Sequence, residues 1–110
     1  MNSVNLTGRL GGDPDLRFTP SGKAVCDLRL AIDSGPSDSG PDWVTVTVWG
    51  KDAETVAAHK RQGDQVAITG RLTFQTWETD GQRRSTVKVT AEPRGVEFLT
   101  RRRTDTDHTE

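Results

Sequence analysis

Three tryptophans, Trp43, Trp49 and Trp77, are the residues of this sequence whose type and spacing could do chemistry, and the chain has no tyrosine. An indole ring is flat and stacks on any unpaired nucleobase, for about 1–3 kcal/mol per base and without regard to base identity. Arginine and lysine side chains on the same surface would hold the phosphates. Because a duplex hides the faces of its bases, indole rings and cations on one surface would select a single nucleic-acid strand.

The alternation around Trp43 and Trp49 predicts the face on which their rings lie. Val44, Val46 and Val48 take the core parity of this segment, so the two tryptophans lie on the opposite face. They are six residues apart in the sequence, which is roughly 20 Å along an extended strand. Large apolar side chains exposed to water alone invite aggregation, so this pattern favours a ligand on that face.

Trp77 is assigned to the same face from the parity of its own segment. Leu72 and Phe74 take the core positions there, and Trp77 shares the outer parity with Arg71. A bulge in either strand would reverse these assignments. The alternative role for each indole ring is packing, either in the core or in an interface between chains.

Period-two alternation of apolar and polar residues predicts five strands that position the tryptophans. The strands are predicted over residues 4–10, 26–32, 43–49, 66–74 and 87–99. One helical segment, 51–62, lies between the third and fourth strands, and Gly63 is a natural left-handed cap at its end. Residues 34–42 are predicted to form a flexible loop, because they contain no apolar anchor.

Turn residues and glycines indicate where these strands bend. Asp80-Gly81 is typical of a hairpin turn, and Gly8 and Gly70 inside strand patterns indicate bulges or sharp bends. These features favour an all-β fold, a five-stranded Greek-key barrel of the OB type with one short helix between strands 3 and 4. A simple open α+β sheet is the structural alternative.

Composition limits the class of protein. The chain has 110 residues, a formal net charge of −1 and 31% hydrophobic residues, which predicts one domain with a thin core. Because acidic and basic residues balance, nucleic-acid binding would have to come from the local placement of cations. A run of about 18 apolar residues would be needed to span a membrane, and none is present in the sequence.

The remaining composition points to the compartment and the domain limits. The chain opens without an apolar segment after a basic stretch, so no signal peptide is expected. The single cysteine, Cys26, is predicted to be an inert core thiol in a reducing cytoplasm. Residues 1–100 are predicted to form the domain and 101–110 a disordered polar tail. The arginines at 101–103 are interpreted as a solvated strand end, with a phosphate-binding patch as the alternative.

No group of residues has the spacing of a catalytic or metal site. Asp13 and Asp15 flank Pro14 in a turn, where solvated carboxylates are the simpler interpretation. His59 and His108 have no partner at metal-ligand spacing. The sequence therefore predicts no enzyme, no cofactor and no metal.

Four stretches of the chain carry a resemblance to a known family. They read MNSVNLTGRLGGDPDLRFTPSGKAVCDLRLAI, WVTVTVWGKDAETVAAHKRQGDQVAITGRL, TWETDGQRRSTVKV and VEFL. In this order they resemble the opening, the strand–helix–strand centre, the hairpin and the closing strand of bacterial single-stranded DNA-binding proteins. The resemblance covers roughly residues 1–100 and implies an OB barrel, usually assembled as a homotetramer that wraps single-stranded DNA.

The resemblance also implies roles for individual residues. Trp43, Trp49 and Trp77 fall where the family places base-stacking aromatics, and Lys51 falls on the basic position of its Gly-Lys pair. The phosphate contacts that it implies are Arg9, Arg17, Arg29, Arg71 and Arg84.

The chain departs from the family pattern in two places. The loop 34–42 lacks the further aromatic that many relatives carry. The sequence ends in Thr109-Glu110 without an acidic tip, so the resemblance does not extend to recruitment of partner proteins through such a tail. These departures are those of a trimmed chain or of a short paralogue.

The hypothesis that these features favour is a cytoplasmic, nucleoid-associated protein that binds and protects single-stranded DNA without sequence preference, in replication, recombination or repair. Two alternatives remain. The barrel could be a protein-interaction module that uses its tryptophan face as an interface, or a small nuclease, for which no catalytic cluster is visible.

Overall fold

The computed structural model describes residues 1–32 and 40–99 of the chain, and it contains six strands and one helix within them. These are β1 (Val4–Leu10), β2 (Asp15–Phe18), β3 (Ala24–Ile32), β4 (Asp42–Trp49), α1 (Lys51–His59), β5 (Gln65–Thr79) and β6 (Gln82–Phe98). Most of the predicted loop 34–42 and the whole predicted tail 101–110 lie outside the described residues. Within the described part of the chain, no helix has the length and apolar character that a membrane crossing requires.

Five of the strands close into a ring. β1 pairs antiparallel with β5, and β5 pairs antiparallel with β6. β6 runs parallel to β4, and β4 pairs antiparallel with β3. The ring closes where Arg9 and Leu10 of β1 lie opposite Ala31 and Leu30 of β3. This closure confirms the predicted barrel and excludes the open α+β sheet.

One strand was not predicted. β2 pairs antiparallel with the first half of β3, from Asp15 opposite Asp27 to Phe18 opposite Ala24. β1 pairs with the second half of that same edge, so β1 and β2 together cover one side of β3. With only four residues, β2 is too short to show a clear alternation, which is why five segments were predicted and six strands are found.

The helix lies between β4 and β5, as predicted, but it is shorter than the predicted 51–62. It ends at His59 because Lys60 has extended backbone angles, φ −116° and ψ 147°. Gly63 has the predicted left-handed conformation, with φ 91°, but in the turn that follows the helix. Its N–H donates to the carbonyl of Leu10, 2.8 Å away, and so links this turn to the end of β1.

The core is formed inside the barrel and under α1. Its largest fully buried side chains are Leu28, Leu30, Ile68, Val46, Val48, Val56, Val66 and Cys26. Burial raises the pKa of the Cys26 thiol, with smaller contributions from the carboxylates of Asp27 and Asp15. A fully buried thiol that is held protonated is unreactive, in agreement with the predicted inert core residue.

The predicted core positions of Leu72 and Phe74 are wrong. Leu72 is 37% exposed and Phe74 is 67% exposed, because β5 and β6 continue past the barrel as a two-stranded ribbon. The ribbon, defined as residues 73–79 with residues 82–88, ends in a turn at Asp80 and Gly81 with φ 54° and 77°, and Leu72 lies at its base. Positive φ at both positions is the geometry that an Asp-Gly hairpin turn provides, so the predicted turn is confirmed.

Two glycines allow strands to approach closely. A Cβ at Gly8 would lie 2.5 Å from the carbonyl oxygen of Ala31, and one at Gly70 would lie 2.3 Å from that of Thr90. A register shift occurs between Ile68 and Gly70, so the bulge predicted there is confirmed. The pairing of β1 with β5 runs through Gly8 without a shift, so this glycine serves the closure of the barrel rather than a bulge.

Candidate nucleic-acid interface

The outer face of β3 and β4 carries two of the three tryptophans. Trp43 is 48% exposed and Trp49 is 40% exposed, while Val46 and Val48 between them point into the core. The alternation therefore predicts the face of both rings correctly. Thr47, between them on the outer side, is only 7% exposed.

Each of these rings has a cation over it. The guanidinium carbon of Arg29 lies 5.2 Å from the centroid of the Trp43 ring, and the Nζ of Lys23 lies 5.2 Å from that of Trp49. Trp43 also packs on Gly11, where a Cβ would lie 2.4 Å from the ring. Cation–π contacts of this kind hold an exposed ring in one orientation in the unbound protein. The conformational entropy of the side chain is then lost on folding rather than on ligand binding.

Arg9 joins the row of residues that contains Trp43. The strand register places Arg9 opposite Ala31 on β3, and Ala31 opposite Trp43 on β4. The Nη1 of Arg9 donates to the carbonyl oxygen of Gly63, 3.4 Å away. Arg9 and Arg29 thus lie on the same outer face as Trp43, as predicted from the sequence.

A groove of ≈ 720 Å³ lies beside Trp49, and we call it the Trp49 groove. It contains the predicted residues Lys51 and Arg71 together with Lys23 and Arg94, which were not predicted as site residues. Its complete lining is Lys23, Trp49, Gly50, Lys51, Asp52, Arg71, Thr90, Ala91, Glu92, Pro93 and Arg94. Four cations face two carboxylates, so the groove has a positive balance although the whole chain has a net charge of −1.

Trp77 lies on the ribbon, beyond the barrel. It is 46% exposed and pairs directly with Arg84 across the two strands. Alternation along β5 places Trp77 on the same side of that strand as Arg71 in the Trp49 groove. The Nη2 of Arg84 donates to Oε1 of Gln82, 3.3 Å away.

Arg17 differs from the other predicted cations because it has an acidic partner. Its Nη2 lies 3.0 Å from Oδ2 of Asp27, and its Nη1 lies 4.0 Å from Oδ2 of Asp15. The hydroxyl of Thr47 donates to Oδ1 of Asp27 at 3.0 Å. This network places a carboxylate in the middle of the outer face and reduces the charge that Arg17 presents to a ligand.

Metal-ligating side chains are not brought together in the described part of the chain. No group of three or more His, Cys, Asp or Glu residues there could hold a metal ion. The ring of His59 lies 6.2 Å from that of Phe98, centroid to centroid. His108 lies outside the described residues.

Sequence reasoning missed Lys23 and Arg94 for different reasons. Lys23 precedes β3 in a turn, outside the strand parity that was used to assign faces. Arg94 lies in a segment of β6 where the alternation is interrupted by Pro93 and Gly95. The Gly22-Lys23 pair next to a predicted strand was the one available signal for a cation at the rim of the sheet.

Comparisons with known proteins identify the family of the chain. Residues 1–99 match the model of the single-strand binding protein family. The chain is 41% identical over 78 residues to a protein of Thermosynechococcus vestitus named single-stranded DNA-binding protein, which covers 71% of this chain and 65% of that protein. Proteins with the same name from Clostridium tetani and Bacillus cereus are 42% and 38% identical over 104 residues.

These alignments also show how much of the relatives the chain represents. The matched region covers 90% of this chain in both cases, but 70% of the Clostridium tetani protein and 60% of the Bacillus cereus protein. The chain therefore spans about two thirds of the length of the relatives that it matches. A family match over residues 1–99, together with a closed barrel, shows that the chain belongs to the single-strand binding protein family.

Proposed function

We propose that this protein binds single-stranded DNA without sequence preference and protects it. The observation that carries the proposal is the shared outer face on which the half-exposed rings of Trp43 and Trp49 lie with cations over them. Stacking on an indole ring accepts any base, because every base has a π-face. The names of the relatives support the same ligand.

The strand would follow the outer face from the barrel to the ribbon. Bases stack on Trp43, Trp49 and Trp77, and phosphates meet the cations that lie beside these rings. The cations proposed to contact phosphate are Arg9, Arg17, Arg29, Lys51, Arg71 and Arg84. Binding needs no chemical step, metal or cofactor, and it would serve replication, recombination or repair in the cytoplasm, in association with the nucleoid.

Affinity is expected to depend moderately on salt. Each phosphate neutralised on a single strand changes the slope of log K against log salt by about −0.7. Asp27 and Asp15 compete for Arg17, and Asp52 and Glu92 line the Trp49 groove. Stacking should therefore supply a larger share of the affinity than in a strongly basic binder.

A homo-oligomer, a tetramer by family resemblance, is proposed from apolar side chains that the single chain leaves exposed. On the ribbon, Phe74 lies opposite Val87, and both are more than half exposed. Beside Val87 is a groove of ≈ 370 Å³ whose lining includes Val4 and Leu6 of β1 and extends to Trp43. A continuous apolar surface of this kind marks a protein interface. Light scattering should give a mass that is a multiple of 12.1 kDa, and a mass of one chain would contradict the oligomer.

Intrinsic fluorescence tests the proposed ligand directly, because all three tryptophans are on the proposed path and there is no tyrosine. Oligo-dT should quench the emission strongly at low salt, whereas duplex DNA of equal length should change it little. If oligo-dT leaves the emission unchanged, the proposed function is wrong, and the tryptophan face is better explained as a surface for a partner protein.

A further inference from the structure

We propose that the Trp49 groove is a subsite for one nucleotide of the bound strand, in which Lys23 and Arg94 hold the phosphate from opposite rims. The proposal rests on the proposed function and adds two residues to it. The groove volume of ≈ 720 Å³ is within the range of about 300–1,000 Å³ typical of sites for small ligands. One wall is an indole ring, and the cations in it outnumber the carboxylates.

Lys23 forms the first rim, and its backbone is held in place. Its N–H donates to the hydroxyl of Thr19 at 3.1 Å, and its carbonyl accepts from the N–H of Thr19 at 2.9 Å. Gly22, with φ 90°, makes the turn that brings these groups together. The ammonium of Lys23 is thereby positioned 5.2 Å from the centre of the Trp49 ring.

This position has a consequence for stacking. A base that stacks on the ring face under Lys23 must take the place of the ammonium. The phosphate attached to that base is then within reach of the displaced ammonium, whose long stem can turn by rotation about its side-chain bonds. The contact with the ring is therefore exchanged for a contact with phosphate, and the cation is not left without a partner.

Arg94 forms the second rim, on a segment of β6 that loops out of the sheet. Ile68 pairs with Val96 and Gly70 with Ala91, so Thr69 of β5 faces the four residues 92–95. A Cβ at Gly95 would lie 2.3 Å from the carbonyl oxygen of Thr69. The loop is therefore pressed against β5, which requires glycine at this position.

The same loop is attached to the helix. The N–H of Arg94 donates to Oδ2 of Asp52 in the first turn of α1, 2.7 Å away. Arg94 has φ 62°, a left-handed conformation that is uncommon for a residue with a side chain and persists only when its surroundings hold it. Two contacts thus fix the loop. Arg94 lines the groove from the β6 side of β4, and Lys23, which precedes β3, lines it from the other side of β4. Asp52 is engaged by this backbone N–H, which leaves Glu92 as the other carboxylate of the groove.

The test is the salt dependence of oligo-dT binding in variants of both rims. Lys23→Gln and Arg94→Asn remove one cation each, and asparagine tolerates the left-handed backbone at residue 94. Each variant should reduce the magnitude of the negative slope of log K against log salt, by at most about 0.7. Lys23→Arg and Arg94→Lys should restore the slope, because they keep the charge. Arg61→Gln is the matched control, since Arg61 is an exposed cation whose Nη1 donates to carbonyls at the end of α1, and its slope should equal that of the unaltered protein.

The outcomes separate this proposal from the proposed function. If Trp43→Ala weakens oligo-dT binding but Lys23→Gln and Arg94→Asn leave the salt slope unchanged, the subsite is wrong and single-stranded DNA binding stands. Arg94→Gly serves as a second variant in case Arg94→Asn fails to fold, because it removes the side chain, suits φ 62° and keeps the N–H that Asp52 accepts. If oligo-dT does not bind the unaltered protein at all, both proposals fail.

Discussion

The barrel and the ribbon present tryptophans in different ways, although β5 and β6 run through both regions. On the barrel, Trp43 and Trp49 have buried valines behind them, a cation over each ring and paired strands on both sides. On the ribbon, Trp77 lies on two strands alone, and Phe74 on the reverse face is 67% exposed. One region is a platform on a buried core, and the other is an arm with two exposed faces.

This difference shows what strand alternation can and cannot decide. Parity separates two faces everywhere, but it identifies the inner one only where a core covers it. In the barrel that condition holds, so the outward assignment of Trp43 and Trp49 is correct. On the ribbon neither face is covered within one chain, and the prediction that Leu72 and Phe74 lie in the core was wrong for that reason.

The largest expected effect is on stability, and it separates the two regions sharply. Leu28 is 1% exposed inside the barrel, so Leu28→Ala should lower the free energy of unfolding by about 2–5 kcal/mol. Phe74→Ala on the ribbon should lower it by less than about 1 kcal/mol at a protein concentration where only single chains are present. Urea unfolding followed by tryptophan fluorescence measures both, and equal losses would mean that the ribbon is packed in the single chain.

The next effect is on DNA affinity at the barrel. Trp43→Ala and Trp49→Ala should each weaken oligo-dT binding by about 1–3 kcal/mol, because one base loses its stacking partner. The free energy of unfolding should change little, since both rings are at least 40% exposed. Fluorescence titration and urea unfolding of the same variants provide the check. A variant that unfolds would show that its ring belongs to the core.

Trp77→Ala sharpens the comparison because its effect should depend on the length of the DNA. A short oligonucleotide that reaches only Trp43 and Trp49 should bind this variant as tightly as it binds the unaltered protein. Longer oligonucleotides that reach the ribbon should bind more weakly by about 1–3 kcal/mol. Titrations with a series of oligo-dT lengths measure this difference. A loss of affinity that is the same at every length would mean that even the shortest oligonucleotide contacts Trp77.

The smallest effects concern the acidic residue on the barrel face. Asp27 holds Arg17 at 3.0 Å, and a surface ion pair of this kind is worth about 0–1 kcal/mol. Asp27→Asn should therefore tighten oligo-dT binding by up to about fivefold at low salt, because it removes a charge that repels phosphate and frees Arg17. Arg17→Gln should reduce the affinity for oligo-dT less than Arg71→Gln does. The reason is that Arg17 is already paired with an acid, whereas the guanidinium of Arg71 makes no ion pair among the described residues. Equal losses would show that the pair opens fully when DNA binds.

Several predictions from sequence succeeded because local patterns carried them. The turn at Asp80 and Gly81 follows from the residue types alone, and the helix between β4 and β5 follows from its spacing. β2 was missed because four residues give too short a pattern, and Arg94 was missed because its segment has no alternation. β2 is defined by its pairing with β3, the next strand in the chain, whereas Arg94 is held by Asp52, which is far away in the sequence.

The sequence by itself determined five of the six strands, their outward and inward faces in the barrel, and the residue types suited to stacking. These follow from the alternation of side chains along each strand, which assigns every residue to a face once one face is buried. Only the tertiary structure decided that Arg17 is paired with an acid, that Lys23 and Arg94 line one groove with Trp49, and that the ribbon leaves the core. The pairing of Arg17 depends on the register of β2 with β3. The other two depend on how distant segments come together when the barrel closes, which no local pattern shows.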